Sequence, residues 1–384
     1  MGASAIMTYS WGSEQSVVFA NPRLPHDVGE ATKNKLVGTY KGHVWLATSG
    51  STAQNSSEIK WVALSKPALL ASAAAVNAHL HCTRKDVWIN PLPGFHVGGL
   101  GINARAYLAG SQVVDFYSHG QGKWDPMQFY KMAVDANATL SALVPTQVYD
   151  LISLGLTAPN SLRAIVVGGG ALQPALHCKA SEMGWKLLPS YGLTECASQV
   201  ATAELYSCPN HGSPPLHLLS NVAVKVGPEG TFHIKSPSLL TAYAYTTGEH
   251  CVFHDPKVAG WFPTEDRGSV DAGVLQVFGR TANFFKIGGE SVDFGRLEGI
   301  AEEVKISLSY GGDIALVPVA DQRLGHAIHL AYASACDADI QPFIDGYNQR
   351  VMPFERIRKT HRLPHIPRSP LNKLLRQELQ ALIT

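Results

Sequence analysis

The stretch from Arg163 to Glu195 constrains the fold more than any other part of this chain. Ala164-Ile165-Val166-Val167 is an unbroken apolar run that stops at Gly168-Gly169-Gly170. Pro174 to Gly184 carries the punctuation of a helix, with proline near the first turn and glycine at the end. Lys186-Leu187-Leu188 is a second short strand, and it ends in Tyr191-Gly192-Leu193-Thr194-Glu195. Strand, glycine loop, helix and strand make a βαβ unit, which builds a parallel sheet through right-handed crossovers. Both unusual loops therefore fall at the carboxyl ends of strands, where open α/β sheets bind ligands.

Composition supports a large folded enzyme and excludes several alternatives. The 384 residues suggest two domains, or one large domain with a satellite. Lys plus Arg is 31 against 30 for Asp plus Glu, a net charge of +1 that gives no footprint for nucleic acid or anionic lipid. With 45% hydrophobic and only 16% charged residues, the chain has ample material for a core and cannot be globally disordered. The uncharged run from Pro67 to Thr83 includes Ser72, Asn77, His79 and His81, so it reads as a buried or amphipathic helix and not as a membrane span. No secretory signal is visible in Met1 to Ala20, and the six scattered cysteines form no CxxC. These features lead us to expect reduced thiols and a cytoplasmic location, with no membrane partner.

Along the chain, the first forty residues show weak periodicity and many turn formers. His43 to Ala47 and Val62 to Leu64 read as strands, Pro67 to His81 as a helix, Asp86 to Pro91 as a strand, Trp124 to Asn137 as a helix and Ser141 to Val144 as a buried strand. After Ser213, short strands (Val222 to Val226, Phe232 to Ser236, Val274 to Gly279) suggest a β-rich subdomain. Beyond Arg280 to Asn283, alternating patterns (Leu297 to Val304, Ile314 to Val317, Ile328 to Tyr332, Ile340 to Arg350) suggest a small α+β domain. The expected class is α/β: an N-terminal domain over residues 1–282, with stacked sheets, and a small mobile α+β domain over 283–384.

Several segments could carry chemistry. Thr48-Ser49-Gly50-Ser51-Thr52 offers hydroxyls and a permissive backbone that can wrap a polyphosphate, though the same residues also make a solvated turn. Gly168-Gly169-Gly170-Ala171 permits close approach of a flat or anionic group, or forms a tight βα turn. Gly99-Leu100-Gly101 mimics a loose dinucleotide motif, and we discount it because no clear strand-then-helix context surrounds it. In Tyr191 to Glu195 an aromatic face, a hydroxyl and a carboxylate share one strand end, where Glu195 could hold Mg²⁺ beside phosphate oxygens. Trp261 to Gly268 presents Asp266 on a turn, where one carboxylate can accept both hydroxyls of a ribose or merely form the turn. His79 and His81 would project about 200° apart on a helix and read as structural residues.

Taken in order, these segments resemble the adenylate-forming superfamily of acyl-CoA synthetases and ligases. Thr48 to Thr52 match its phosphate loop, with Ala53 at the second glycine and an insertion before Ile59-Lys60. Gly168 to Leu172 match the adenine loop, Tyr191 to Glu195 the Y-G-x-T-E motif, and Gly260 to Asp266 the G-W-F-x-T-G-D motif, with Glu265 at the glycine. Gly279 to Glu290 match the hinge motif with Asn283 at the usual aspartate, and Pro367 to Arg376 match the last motif with Asn372 at the glycine. Within the superfamily, Pro91 to Gly99, Ser141 to Gln147, Tyr191 to Gln199 and Thr264 to Gly268 look most like the o-succinylbenzoate–CoA ligases of menaquinone synthesis.

The resemblance implies that ATP, Mg²⁺ and coenzyme A serve a small carboxylic acid substrate, which is first adenylated and then transferred to the thiol. It implies that Lys373 bridges the substrate carboxylate and the α-phosphate, that Thr194 bonds the phosphate and that Glu195 holds Mg²⁺. By position, Thr48, Ser49, Gly50, Ser51, Thr52 and Lys60 would cradle the polyphosphate. Gly168, Gly169, Gly170, Tyr191 and Gly192 would take the adenine, and Asp266 with Arg280 the ribose. His96 would lie by the reacting carboxylate in an acid pocket with Gly98, Thr146, Gln147, Ser198 and Gln199. Asn283 would be the hinge that brings Lys286 to Glu290 toward the thioester-forming site. Two other readings stay open: adenylation of another aryl or fatty acid, and a degenerate member that binds nucleotide or acyl ligand without turnover. The short segment before Thr48, the lost glycine at Ala53 and Asn372 lead us to expect weaker ATP binding or a reduced enzyme. Oligomeric state is open, with a homodimer as the assembly to test.

Overall fold

A computed structural model describes residues 10–20, 30–47, 58–117, 123–205, 214–247, 250–280, 284–287, 290–333, 339–369 and 374–383. By contacts the chain divides into two compact units, one of Met1–Pro228, Phe232–Thr264 and Ser269–Gln276, the other of Glu229–Thr231, Glu265–Gly268 and Val277–Thr384.

The expected βαβ unit forms. Strand Ala164–Val167 is followed by helix Pro174–Glu182 and strand Leu187–Leu193, and the two strands pair in parallel. They belong to a run of five parallel strands ordered Gln112–Asp115, Val87–Asn90, Leu140–Leu143, Ala164–Val167, Leu187–Leu193. All four residues of Ala164–Val167 and of Leu140–Leu143 are buried, which is why these strands read as apolar runs without alternation. Even Ser141 is fully buried, its hydroxyl donating to the Ile89 carbonyl at 3.0 Å. In chain order the five strands lie 2-1-3-4-5, so the winding reverses between Val87–Asn90 and Leu140–Leu143. That reversal opens a crevice at their carboxyl ends.

Beyond Leu187–Leu193 the sheet turns antiparallel, through Ser198–Ala203, Leu216–Leu218, Val274–Arg280, Phe262–Asp271, Thr231–Lys235 and Ala223–Val226. This is the β-rich segment expected after Ser213. A second sheet orders Val17–Phe19, His43–Ala47, Glu58–Ser65, Ala242–Thr247 and His250–His254. Helices Lys66–His79 and Val97–Ala109 give Ala75, Val76, Ile102 and Ala106 to the core of the large sheet, and Leu69 and Leu100 to a cluster with Val44, Leu46, Val62 and Leu64 of the second sheet. The helices thus form a layer shared by two sheets, which explains their glycine and alanine content. Each large side chain buried there, Trp88 among them, contributes about 1.5–3 kcal/mol. In the second unit, Phe284–Ile287, Glu290–Asp293, Gly325–Ala333, Asp313–Asp321 and Ile357–Arg362 form the sheet, with helices Phe294–Ser307 and Gln341–Asn348 adding Phe294, Leu297 and Phe343 to one core and helix Arg376–Ile383 adding Leu379 to another.

Three expectations need correction. Helix Glu30–Thr39 and strand Val17–Phe19 lie in the region of weak periodicity; the helix buries Leu36 against Trp45 and Trp61, so packing supplies what pattern did not. Strand Leu187–Leu193 runs on through Tyr191 and Gly192, where a short loop was expected, because Ser198–Ala203 folds back to pair with it. Gly99-Leu100-Gly101 does follow a strand and does lie in a helix, Val97–Ala109. A Cβ at Gly99 would stand 2.6 Å from the Leu92 and Pro93 carbonyl oxygens, so this glycine serves close backbone packing. His79 is structural, its Nε2 lying 2.8 Å from the Ala203 carbonyl. Among the described residues no helix is long and apolar enough to cross a membrane.

One ion pair ties the parallel strands together. Arg163 donates to both Asp86 oxygens, at 2.9 and 3.1 Å, and to the Leu80 carbonyl, while Thr139 donates to Asp86 at 2.7 Å. Burial alone would raise the Asp86 carboxyl, but the hydrogen bonds from Arg163, the Thr83 N–H and Thr139 outweigh it and hold the group below its ordinary value. A depressed carboxyl contributes stability that is complete above its unfolded pKa and is lost as pH falls through the folded one. Arg163→Met should therefore cost about 3 kcal/mol in urea unfolding at pH 7. The difference from wild type should shrink below about pH 4; a difference that grows on acidification would contradict the assignment.

Candidate active site

The parallel half of the sheet hands over to the antiparallel half in one tight hairpin. Leu187–Leu193 ends in a single helical turn, Thr194–Cys196, and Ser198–Ala203 returns beside it. The reversal needs Ala197 at φ +54° and Ser198 at φ +124°, backbone conformations that L-residues seldom adopt and that collect at functional sites. A Cβ at Gly192 would lie 1.9 Å from the Ser198 carbonyl oxygen, so only glycine lets the returning strand lie this close. Gly192 was expected to approach a nucleotide; the close approach seen here is to the chain itself.

Glu195 sits at the tip of this hairpin and is held on two sides. The Leu240 N–H donates to its backbone carbonyl at 2.7 Å, and the Tyr243 hydroxyl donates to its Oε1 at 2.9 Å. Lys60 comes from strand Glu58–Ser65, where it is cross-strand partner of Tyr245, so it shares a face with Tyr243. Its Nζ lies 3.7 Å from Glu195 Oε1 and 3.8 Å above the Tyr243 ring centroid. Burial, and next the Glu195 charge, push the Tyr243 phenol far above its usual range, so it remains a protonated donor. Among the described residues Glu195 Oε2 accepts no hydrogen bond.

These groups suit a nucleotide with its metal. Magnesium bound to a nucleotide takes one or two carboxylates and completes its shell with phosphate oxygens and water. Among the described residues no three His, Cys, Asp or Glu side chains gather into a metal cage. A single carboxylate with one open oxygen beside an ammonium is the donor set for magnesium that arrives on a polyphosphate. Thr194 is half-buried on the same turn as Glu195. Tyr191 packs edge-on against Phe232 at 5.7 Å between centroids. Gly168, Gly169 and Gly170 follow the next strand, with Gly169 at φ +78° and Gly169 and Gly170 exposed.

On the other side of the hairpin, near the switch point, lie the side chains expected at the acid pocket. Gln147 opens helix Pro145–Ser153, and its amide accepts from the Val144 N–H at 3.0 Å and donates to the Pro91 carbonyl at 3.3 Å. It therefore ties the two loops flanking the crevice, while Thr146 beside it is half-buried. His96 begins helix Val97–Ala109 and lies 4.6 Å from the Phe95 ring. Gly98 follows in the first turn, where a Cβ would press on Leu92 at 3.0 Å. Gln199 is 4% exposed; its Oε1 accepts from Thr202, while among the described residues its Nε2 has no hydrogen-bond partner.

A buried charge beside Ser198 belongs to none of the motifs. Arg105, on helix Val97–Ala109, is 1% exposed, and its Nη2 donates to Ser198 Oγ at 3.2 Å. Its guanidinium lies 5.6 Å from the Trp88 ring centroid, and among the described residues its Nε has no hydrogen-bond partner. Burial lowers its pKa to about 10. A Cβ at Gly101 would stand 3.3 Å from Nη2, so glycine there makes room for the guanidinium. The signal in sequence is a lone arginine in an otherwise uncharged run from Gly94 to Val114.

In the second unit Arg280 Nε donates to Asp266 Oδ1 at 3.0 Å, so the two residues expected at the ribose are joined. Arg368 and Arg376, from the basic stretch near the C-terminus, pair with Asp313 and Glu298 and are not merely solvated. Thr48, Ser49, Gly50, Ser51, Thr52, Asn283 and Lys373 lie outside the described residues.

Residues 44–243 match the AMP-binding enzyme family. The chain belongs to that family. As a member, it is 31% identical over 279 residues to the 2-succinylbenzoate–CoA ligase of Escherichia coli (strain K12), a match covering 73% of this chain and 56% of that protein. It is 27% identical over 350 residues to the 2-succinylbenzoate–CoA ligase of Bacillus mycoides (strain KBAB4), covering 88% of this chain and 69% of the relative. Among solved structures, an E. coli MenE variant with bound OSB-AMS superposes with a TM-score of 0.67 at 26% identity, over 89% of this chain and 68% of the other. A Bacillus subtilis o-succinylbenzoate CoA synthetase, in complex with the acyl-adenylate intermediate OSB-AMP, gives 0.72 at 23% identity over 88% and 68%, and speaks for the fold. The family fold is thus present in a chain spanning 56% of the first of these relatives.

The hairpin geometry gives a direct test. Gly192→Ala should displace Ser198–Ala203 and cost at least about 3 kcal/mol. Thermal unfolding would show it, and a variant as stable as wild type would mean that the two strands do not approach so closely.

Proposed function

We propose that this AMP-binding family member is an ATP-dependent acid–CoA ligase. Its substrate on this reading is 2-succinylbenzoate or a dicarboxylate of that shape. The observation that carries the substrate is Arg105. A guanidinium removed from water costs several kcal/mol unless an anion meets it. Among the described residues this one has a hydroxyl and a ring face, with Nε left over. A second carboxylate on the substrate supplies the missing partner, and guanidinium meets carboxylate in a bidentate fork. A fatty acid or a simple benzoate has no such charge to offer. The names of the relatives support the same acid.

The reaction runs in two displacements. An oxygen of the substrate's other carboxylate attacks the α-phosphorus of ATP, the bond to the bridging oxygen breaks, and pyrophosphate leaves. The sulfur of coenzyme A then attacks the acyl carbon, and AMP departs. The first step brings two anions together, so the protein must supply cations and aligned donors where charge develops. Lys60 and Thr194 meet the phosphates, and Glu195 holds the magnesium. Bound with the nucleotide, that ion would neutralise charge on the phosphate oxygens. Gly168 to Gly170 and Tyr191 take the adenine and His96 the region of the reacting carboxylate, while Asp266 and Arg280 are given the ribose by their motifs alone. Lys373 is assigned to the α-phosphate by its motif alone.

A panel of aryl and acyl acids, with pyrophosphate release and mass detection of the CoA product, tests this reading. The expected result is turnover with 2-succinylbenzoate and about a hundredfold less with benzoate or a fatty acid. Arg105→Met should keep or raise the thermal midpoint, since it removes a buried charge. It should erase most of that preference. A destabilised variant with unchanged selectivity would make Arg105 structural. Lys373→Ala should abolish adenylation and spare thioester formation from preformed adenylate; equal loss of both halves would reject its role.

A further inference from the structure

The Glu195 carboxylate is gripped at one oxygen. Tyr243 donates to Oε1 at 2.9 Å, and Lys60 approaches the same oxygen at 3.7 Å, while Oε2 accepts no hydrogen bond among the described residues. The segment that supplies Tyr243 also supplies the Leu240 N–H that fixes the Glu195 carbonyl at 2.7 Å. Backbone and side chain of Glu195 are therefore set by one short stretch, Leu240 to Tyr243, entering from the five-stranded sheet. The Tyr243 ring has a second task, since the Lys60 ammonium rests 3.8 Å above its centroid. A cation over an aromatic face keeps its charge while losing freedom to wander. One tyrosine thus orders both the carboxylate and the ammonium of the phosphate end.

We propose that Tyr243 is the positioning residue of the metal–triphosphate site, holding Glu195 by Oε1 so that Oε2 is presented to magnesium, and seating Lys60 for the phosphates. This rests on the nucleotide reading given above. An unheld glutamate would have to be ordered at each binding event, and that entropy would be taken from metal affinity. The phenol meets the cost at folding. Its contact with the Glu195 carboxylate is the hydroxyl, whereas its ring is packed in the core, so removing that oxygen alone separates positioning from packing.

The test uses the full chain with Mn²⁺ as probe. Tyr243→Phe keeps the ring and the seat for Lys60 but frees the carboxylate. Mn²⁺ titrated in the presence of ATP, read by electron paramagnetic resonance or calorimetry, should bind about tenfold more weakly than to wild type. ATP affinity without metal should be unchanged. In pyrophosphate release, the Mg²⁺ concentration for half-maximal rate should rise by the same factor, with kcat at saturating Mg²⁺ within about twofold of wild type. Tyr243→Leu, which also removes the ring, should in addition weaken metal-free ATP binding about tenfold. A Tyr243→Phe variant that melts earlier yet titrates Mn²⁺ like wild type would overturn the proposal, as would a fall in kcat that saturating Mg²⁺ does not repair. Wild type that binds Mn²⁺ and ATP but releases no pyrophosphate with any acid would sink the ligase reading and leave this one standing. Wild type that binds neither would sink both.

Discussion

The site depends on a single backbone reversal. Between Leu193 and Ser198 the chain leaves the last parallel strand, makes one helical turn and re-enters the sheet antiparallel. Packing two strands at the distance Gly192 allows forces Ala197 and Ser198 to positive φ. Each such residue costs on the order of 1–3 kcal/mol, and the surrounding sheet must supply it. In return, Glu195 and Ser198 are displayed on opposite flanks of one rigid tip. Glu195 faces the tyrosine and lysine of the second sheet, and Ser198 faces the buried Arg105 of helix Val97–Ala109. Rigid presentation of this kind lets a site bind charge without first ordering its own groups.

Two buried cations show how magnitude separates packing from function. Lys66 is 1% exposed, as Arg105 is, but its ammonium donates to the Ser10 and Ser13 carbonyls and to the Ser13 hydroxyl, at 2.7, 2.9 and 2.9 Å. Three oxygens replace its water, and the group pins the chain around Ser10 to Ser13. Among the described residues Arg105 meets one hydroxyl and an indole face, with Nε unsatisfied. An incompletely paired buried charge is expensive in a core that is otherwise apolar. That imbalance is the physical ground for giving Arg105 to a ligand and Lys66 to the fold.

Much of the architecture was legible because it follows local rules. The all-apolar run Ala164 to Val167, the proline at Pro174 and the glycines after the strand located the first strand and the helix of the βαβ unit to within a residue or two, since burial on both faces leaves no alternation and proline suits only a first helical turn. His43 to Ala47 matched its strand in both limits for the same reason. Helix Glu30–Thr39 was not legible, because its pattern is nearly uniform and its place depends on Leu36 reaching Trp45 and Trp61. The glycines of Val97–Ala109 invited a loop reading for the opposite cause: they answer to neighbours such as Leu92 and Pro93, not to turn chemistry. Gln147 was expected in the acid pocket, and what the sequence did not show is that its amide joins two strand-end loops by bonding Val144 and Pro91.

The amino-acid order by itself determined the class of fold, the strand ends that carry polar loops, and the motif residues Thr194, Glu195, Asp266 and Arg280. The first two follow from periodicity and turn chemistry within a few residues, and the motif residues from the resemblance to the family. Only the tertiary structure decided which distant groups complete them. Tyr243 reaches Glu195 across 48 residues, and Arg105 reaches Ser198 across 93. No local rule links such pairs. They meet because a helix layer shared by two sheets, and a hairpin too tight for any side chain but hydrogen at Gly192, bring the strand ends together in space.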